Sequence, residues 1–404
     1  MRAFIVRATL AAALVPAGVG AQSLSLTESQ ALALLSPASP RVQAIRAAVD
    51  LARADVAAAG RWPNPRATVN RESSAGVSEN IVTVGQVLPI TGRRGLDVAS
   101  ASALANAVAS RAEEHLRRAR ADLRLAFTAL VSAQAREQEL TRAAERLREL
   151  AAVLARREAA GDAAGYDRLR AEREALDMDS DRASASVARV EAQASVAAFF
   201  ERPDPSLVLI AVPSERTSTV LPPLSELTAR AESIRGDLRA FGQELDSARL
   251  AEQAATRRLY PEPELVAGTK SSTAGDTGGV IAVHVSIPLF DRSRPERAAA
   301  RARAAQATAS SDIFRVALHA EVSALRTAAI ERRQAADLYR ASEASGSELE
   351  RIAQVSYDAG EQGILELLDA YRTGAAAQVR QVELDGLARQ SEIELEYASG
   401  WEIR

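Results

Sequence analysis

The chain contains no cysteine, and Lys270 is its only lysine. Without cysteine the sequence excludes disulfides, thiolate metal sites and a lipidated N-terminal cysteine. Aromatic residues make up only 4% of the chain, and its 404 residues include just 21 glycines and 15 prolines. This composition is poor material for one thick globular core. It favours long, closely packed helices and an elongated molecule.

The sequence lacks the residues that several classes of function require. The formal net charge is -3, so no basic field favours nucleic acid. His115, His284 and His319 have no partners at metal-ligand spacing, and we expect no metal site. No glycine-rich phosphate loop leads to Lys-Ser/Thr, and no Ser/His/Asp set is evident. We therefore expect neither a cofactor nor an enzyme.

Residues 1–21 have the pattern of a secretory signal peptide. Arg2 and Arg7 precede an apolar run at residues 8–15, and small residues follow at 19–21. A membrane anchor is the alternative, but the run is shorter than the roughly 20 residues of a spanning helix. No later apolar segment of that length is free of charge. Any later membrane crossing is therefore expected to use strands.

The two halves of the chain share motifs at a nearly constant offset. Trp-Pro-Asn-Pro at 62–65 matches Tyr-Pro-Glu-Pro at 260–263, and Gly161 matches Gly360. Two copies are too few for a solenoid, so we predict a tandem duplication that gives pseudo-symmetry within one protomer. The predicted domains are a first repeat at 22–201, a linker at 202–223 and a second repeat at 224–404.

Each repeat has the same predicted order of elements. Period-two alternation at about 65–88 and 264–288 predicts a pair of strands in each repeat, and each strand approaches the roughly 9 to 11 residues that cross an outer membrane. A soluble hairpin at the end of a helix bundle remains the alternative. Helical hairpins are predicted at about 92–200 and 293–401. Each opens with an uninterrupted helix of roughly 65 residues.

Local signals support these helices. Leu116, Leu123 and Leu130 recur every seven residues, as coiled-coil packing requires. Thr27, with Gln30 three residues later, predicts a capping box at the first helix, and Ser293 with Glu296 predicts another at the start of the second long helix.

Four strands per chain are fewer than the eight of the smallest membrane barrels, and open strand edges cannot remain unpaired in lipid. Several chains must therefore pool their strands. The same assembly would bundle the helical hairpins into a cylinder. A hollow conduit is the expected result.

Further motifs identify a family. They are the duplicated Trp/Tyr-Pro-x-Pro element, Gln-Val-Leu-Pro-Ile-Thr-Gly-Arg-Arg at 86–94, Ile-Pro-Leu-Phe-Asp-Arg at 287–292, and the two glycine turns. With these motifs the chain resembles the TolC family of outer-membrane efflux proteins over about residues 26–401. The Pro-Leu-Phe-Asp-Arg run is most similar to the cation-efflux branch.

The resemblance implies a mainly α fold with a small β part. It implies a homotrimer with a 12-stranded transmembrane barrel in the outer-membrane lipids and a helical barrel reaching into the periplasm. Such a channel would dock on a periplasmic adaptor and an inner-membrane RND pump or ABC exporter. It would conduct small solutes such as metal cations or drugs. The sequence leaves open two alternatives, protein export by a type I secretion system and a soluble periplasmic coiled-coil scaffold.

The resemblance also suggests roles at the hairpin tips. Glu366 and Asp369 match acidic rings that constrict the periplasmic entrance, while Tyr357 and Asp167 match residues that hold it closed. Gln362 stands where an arginine would complete that latch. The alternative for the acidic pair is that carboxylates near a helix start interact with its dipole and meet water.

The tip glycines have two possible roles. Gly161, Gly165, Gly360 and Gly363 are expected to form the surface that meets the adaptor, because they lie at the far ends of the longest helices. The alternative is turn chemistry alone, since glycine lets the chain reverse where a side chain would clash.

Overall fold

The structure is a computed structural model that describes residues 23–161, 164–201, 207–214 and 220–402. The predicted signal peptide and parts of the predicted linker lie outside these residues. Within them the chain is mostly helical with a small β part, as the sequence predicted. The elements in chain order are β1 (Ser23–Leu26), α1 (Glu28–Ala33), α2 (Pro40–Ala59), β2 (Arg66–Ser74), β3 (Val77–Val87), α3 (Arg93–Ala160), α4 (Gly165–Ala197), β4 (Val208–Ala211), α5 (Leu224–Ile234), α6 (Gly236–Arg257), β5 (Pro263–Ser272), β6 (Thr277–Val285), α7 (Arg294–Ala341), α8 (Glu343–Asp358) and α9 (Ile364–Ser399).

The predicted strands form one four-stranded antiparallel sheet in the order β2-β3-β5-β6. The two hairpins meet along β3 and β5, where Val82 lies opposite Thr269. Among the described residues, the outer edges of β2 and β6 have no strand partner. The strands of the first hairpin are joined by a turn of only two residues, Ala75 and Gly76, both with positive φ.

The two faces of this sheet differ in chemistry. In a strand, alternate side chains point to opposite faces. One face is apolar and exposed, and it carries Val69, Val82, Val84, Leu265, Ile281, Val283 and Val285. The other face is mostly polar over its outer half, where it carries Thr68, Asn70, Glu72, Glu79, Thr83 and Lys270.

A second, two-stranded sheet pairs β1 with β4 in parallel, with Leu26 opposite Ala211. Neither strand was predicted from the sequence. The Gln134 amide of α3 caps the other side of β4, because it donates to Leu209 O at 3.1 Å and accepts from Ala211 N at 3.1 Å. Each four-residue strand is too short for its alternation to be recognised.

The two long helices differ in continuity. The 68 residues of α3 run unbroken to Gly161, which ends the helix in a left-handed conformation. The prediction of an equally uninterrupted second long helix is wrong, because α7 ends at Ala341 and α8 begins at Glu343. Ser342 Oγ donates to Tyr339 O at 2.6 Å, and Gly346 lies one turn further on. Serine bonding to a preceding carbonyl and glycine both weaken a helix.

The two predicted capping boxes have different outcomes. Thr27 forms its box, since Gln30 N donates to Thr27 Oγ1 and Thr27 N to Gln30 Oε1. Ser293 precedes α7 but makes no side-chain cap. Its φ of 52° is left-handed, whereas a capping serine adopts the extended region. Glu296 instead accepts from Arg258 at 3.0 Å.

The core follows the long helices. α3 packs against α2, α4, α6 and α9, and two of the three heptad leucines lie inside: Leu123 and Leu130 are at most 1% exposed, whereas Leu116 is half-buried. Among the described residues, no helix is both long and apolar enough to cross a membrane.

Candidate functional site at the helical tips

The two predicted glycine turns lie close together at one end of the helical hairpins. Gly161 and Gly360 have φ of 84° and 74°, which side chains rarely adopt. Gly165 begins α4, and Gly363 precedes α9 with an extended backbone. A Cβ at Gly165 would lie 2.6 Å from Glu158 Oε1, so a side chain here would displace the flexible end of Glu158.

Tyr357 lies between the two hairpins. It is half-buried against an apolar cluster, and Asp167 and Arg157 lie beside it. Burial raises the pKa of Tyr357, and the carboxylate of Asp167 raises it further, while the hydrogen bond from Arg157 lowers it. The phenol therefore stays protonated at neutral pH. The structure thus brings together Tyr357 and Asp167, which come from different halves of the chain.

Arg157 is a residue of this site that the sequence patterns did not predict. It lies in the last turn of α3, and its Nη2 is 3.3 Å from Asp358 Oδ1 of α8. Gln362, which stands where the resemblance implies an arginine, is exposed, and its backbone N–H donates to Ser356 O. Arg157 supplies a cation to the same cluster from the other half of the chain. Its only signal in the sequence was a basic residue at a helix end.

Glu366 and Asp369 lie in the first two turns of α9. Both are exposed, and the residues between them, Leu367 and Leu368, are buried. Positions three apart share one face of a helix, so the two carboxylates point the same way. They form no part of the cluster around Tyr357.

An apolar cluster lies beneath these polar groups and fixes the tips. It contains side chains of α3, α4, α8 and α9: Leu147, Leu150, Ala151, Leu154, Ala171, Ala175, Ala353, Ile364, Leu367, Leu368 and Ala370. Ala353 is the only buried residue of α8. The short helix α8 is therefore the least buried wall of the site.

Hydrogen bonds and ion pairs, rather than buried apolar contacts, hold α8 against α3 and α9. Glu350 Oε2 accepts from Arg146 of α3 at 2.8 Å, and Gln354 Oε1 accepts from Tyr371 Oη of α9 at 2.5 Å. Gln354 Nε2 in turn donates to Asp358 Oδ2 at 2.8 Å. Together with Arg157, these bonds run along the inner side of α8, and we call them the α8 ladder.

The ladder depends on a close approach between α8 and α9. A Cβ at Gly374 of α9 would lie 1.5 Å from Glu350 Oε1, so only glycine leaves room for this carboxylate. Beside the ladder, at the break between α7 and α8, is a cavity of about 770 Å³ whose lining includes Arg146, Ser342 and Gly346. Among the described residues, no group of three or more His, Asp or Glu is arranged to hold a metal ion.

Comparison with known proteins connects this architecture to a family. Residues 227–401 match the family described as outer membrane efflux protein. This match covers most of the second half of the chain. The resemblance noted in the sequence is thereby confirmed. No curated protein sequence matches the chain significantly.

Solved structures of membrane proteins share the fold over nearly the whole chain. A membrane protein from Pseudomonas aeruginosa is 20% identical with a TM-score of 0.79, and the match covers 92% of this chain and 93% of that one. The outer membrane protein VceC from Vibrio cholerae is 17% identical, with a TM-score of 0.75 and coverage of 92% and 96%. The CmeC outer membrane channel of Campylobacter jejuni is 15% identical, with a TM-score of 0.79 and coverage of 92% and 85%.

Proposed function

We propose that this protein is the outer-membrane channel of a tripartite efflux system. It passively conducts small solutes, such as metal cations or drugs, from the periplasm to the exterior. The single observation that carries the proposal is the four-stranded sheet, which has one exposed apolar face, one face with a polar outer half and two open edges. A sheet of this kind suits a barrel wall with lipid outside and water inside.

The open edges support assembly into a ring. The edge of β2 belongs to the first half of the chain and that of β6 to the second. Pairing β6 of one copy with β2 of the next is a head-to-tail contact, which closes into a ring when the rotation permits. Three copies would give twelve strands. A homotrimer is therefore part of the proposal, together with the tandem duplication that places one hairpin in each half.

The helices offer matching surfaces for the same contact. Apolar side chains remain exposed along α4 of the first half, namely Tyr166, Leu169, Leu176, Val187 and Val190. Others remain exposed along α7 and α8 of the second half, namely Ile313, Val316, Leu338, Leu349, Ile352 and Val355. Apolar stripes at helical spacing are typical of coiled-coil seams. Neighbouring copies would bury α4 against α7 and α8 of the next.

The proposed entrance lies at the helical tips. In a trimer, Glu366 and Asp369 each form a ring of three carboxylates, and such rings select for cations. Tyr357, Asp167 and Arg157 would hold the entrance closed. The tip glycines, Gly161, Gly165, Gly360 and Gly363, would lie where a periplasmic adaptor connects the channel to an inner-membrane RND pump or ABC exporter.

Conductance measurements test the channel and the rings together. The purified protein should migrate as an oligomer and form pores in planar bilayers. Replacing both Glu366 and Asp369 with alanine should abolish block by multivalent cations and reduce cation preference. Replacing the exposed carboxylates Asp50 and Asp55 of α2 is the matched control, because it removes the same charge far from the tips. Unchanged block in the first variant would exclude the ring assignment, and a monomer without conductance would exclude the channel.

Adaptor docking has its own test. A bulky residue at Gly363 points toward Glu366, where a Cβ lies 3.0 Å from a flexible carboxylate, so the turn can accept it. Gly363→Trp should leave trimers and bilayer conductance intact while it abolishes efflux in cells and cross-linking to the adaptor. Normal efflux in this variant would argue against docking at this turn.

A further inference from the structure

Lys270 stands out because it is the only lysine of a chain that otherwise uses arginine for positive charge. It lies on β5, near the end of the sheet that carries the hairpin turns. The long helices α3 and α7 follow the opposite ends of their hairpins. If the helices extend into the periplasm, the turns and Lys270 lie at the external mouth.

The lysine faces two glutamates. Glu72 of β2 lies directly opposite Glu79 of β3, and like charges in that position are unfavourable. Lys270 Nζ is 2.6 Å from Glu79 Oε2. Ile81 is the residue opposite Lys270, so the lysine lies one same-face position away from Glu79. One cation therefore balances a pair of carboxylates.

All three charges lie on the polar face of the sheet. The register places Val82 on the other face, next to Ile81, and the exposed apolar residues follow Val82. Arg71 is also on that other face, since it lies opposite Asn80. Arg71 thus has the same charge as Lys270 and lies at a similar height along the strands, but on the opposite side of the sheet.

The hairpin ends are held in this arrangement. Thr273 Oγ1 accepts from Ser78 N at 2.9 Å, and Thr273 N donates to Ser78 O at 2.9 Å. These bonds join the turn of the second hairpin to that of the first. The glutamates and the lysine therefore lie on a connected end of the sheet rather than on separate loops.

We propose that Lys270 sets the ion selectivity of the external mouth by neutralising half of the glutamate charge on the polar face. The inference rests on the proposed channel. Each chain contributes Glu72, Glu79 and Lys270 to the polar face, so these residues give a trimer a charge of about -3 there, and about -6 without the lysine. Cations, multivalent ones above all, are the solutes whose passage this residue tunes. The mouth is then a second selectivity site, separate from the carboxylates of the helical tips.

The single lysine allows a direct test on the unmodified sequence. The impermeant acetyl ester of N-hydroxysulfosuccinimide is added to the side of a planar bilayer that faces the hairpin turns. The lysine amine attacks the ester carbonyl and forms an amide, and N-hydroxysulfosuccinimide and a proton leave. The positive charge is lost without mutation, and mass spectrometry reports the extent of reaction at Lys270.

Acetylation should raise the ratio of cation to anion permeability by about two-fold, because the uncompensated carboxylates lie within a Debye length of one another. Lys270→Arg keeps the charge and has no reactive side-chain amine, so the reagent should not change its selectivity. This control also accounts for reaction at the α-amino group. Arg71→Gln, which removes a positive charge from the other face, should leave the ratio unchanged.

The outcomes separate the inference from the proposed function. A pore whose selectivity is unchanged after complete acetylation of Lys270 overturns the inference and leaves the channel standing. An equal rise in selectivity in Arg71→Gln also overturns it, because charge on either face would then suffice. If the wild-type protein forms no pore, the channel itself fails, and the inference fails with it. Lys270→Met provides a second measurement that needs no reagent and should match the acetylated wild type.

Discussion

Removing Arg157 should open the proposed entrance. The Arg157→Ala change deletes the ion pair with Asp358 and the hydrogen bond to Tyr357. The side chains of Arg157 and Asp358 are 42% and 49% exposed, so solvent screens their attraction and the pair contributes at most about 1 kcal/mol. The hydrogen bond to Tyr357 is also partly exposed to solvent, so we take about 1 kcal/mol per chain as the combined loss of closed-state stability from both contacts.

The size of the effect depends on how the proposed trimer opens. If the three chains open together, the losses add to about 3 kcal/mol, which is about a hundred-fold change in the ratio of open to closed channels. If each chain opens alone, the change is about five-fold per chain. The open fraction of single channels in planar bilayers measures the ratio and therefore distinguishes these two modes.

The adjacent residue is a matched control. Arg156 is exposed, and its Nε bonds only weakly to Ala152 O of its own helix at 3.4 Å. Arg156→Ala therefore removes the same charge from the same turn and should not change the open fraction. High salt should narrow the difference between the wild type and Arg157→Ala, since it screens the ion pair. An open fraction that does not rise in Arg157→Ala, or that rises equally in Arg156→Ala, refutes the latch.

Two further predictions concern α8 and α9. A disulfide in Glu350→Cys/Gly374→Cys should keep the channel closed until it is reduced, because a Cβ at residue 374 would lie 3.1 Å from Glu350 Cγ and the disulfide would tie α8 to α9. The control disulfide in Ser132→Cys/Gly386→Cys, which lies further along α9 from the tips, should have no effect on opening. Normal opening of the oxidised Glu350→Cys/Gly374→Cys variant would contradict movement of α8. Burial raises the pKa of Tyr397 to about 12, against about 10 in an unfolded chain, so its neutral form contributes stability that is present below pH 10 and is lost as the pH rises toward 12. The unfolding temperature of the wild type should therefore fall more steeply over this range than that of Tyr397→Phe, and parallel curves would exclude the effect.

The features that the sequence predicted well are those with a local period. Leu123 and Leu130 are seven residues apart and both are buried, because every seventh residue returns to nearly the same face of a helix. The exposed valines of the sheet alternate for the equivalent reason in a strand, where the period is two. Both patterns are fixed by backbone geometry alone and require no knowledge of distant partners.

The missed features depend on contacts between distant parts of the chain. Strand β1 pairs with β4 across some 185 residues, and its four residues hold no recognisable period. Arg157 meets Asp358 only because the two hairpin tips lie together. The break at Ser342 did have a local signal, since Gly346 follows it, but alanine and glutamate nearby favour a helix and hid it.

The break at Ser342 makes the two helical hairpins unequal, although the predicted duplication relates them as copies. In the first half, α4 packs on an unbroken α3 through buried residues such as Ala171 and Ala175. In the second half, α8 is separated from α7, buries only Ala353, and is tied to α3 and α9 by the α8 ladder. Polar bonds at a partly exposed surface break at lower cost than a packed apolar seam. Opening of the proposed entrance should therefore begin with α8, which carries Tyr357 away from Asp167 while the first hairpin stays in place as a fixed wall.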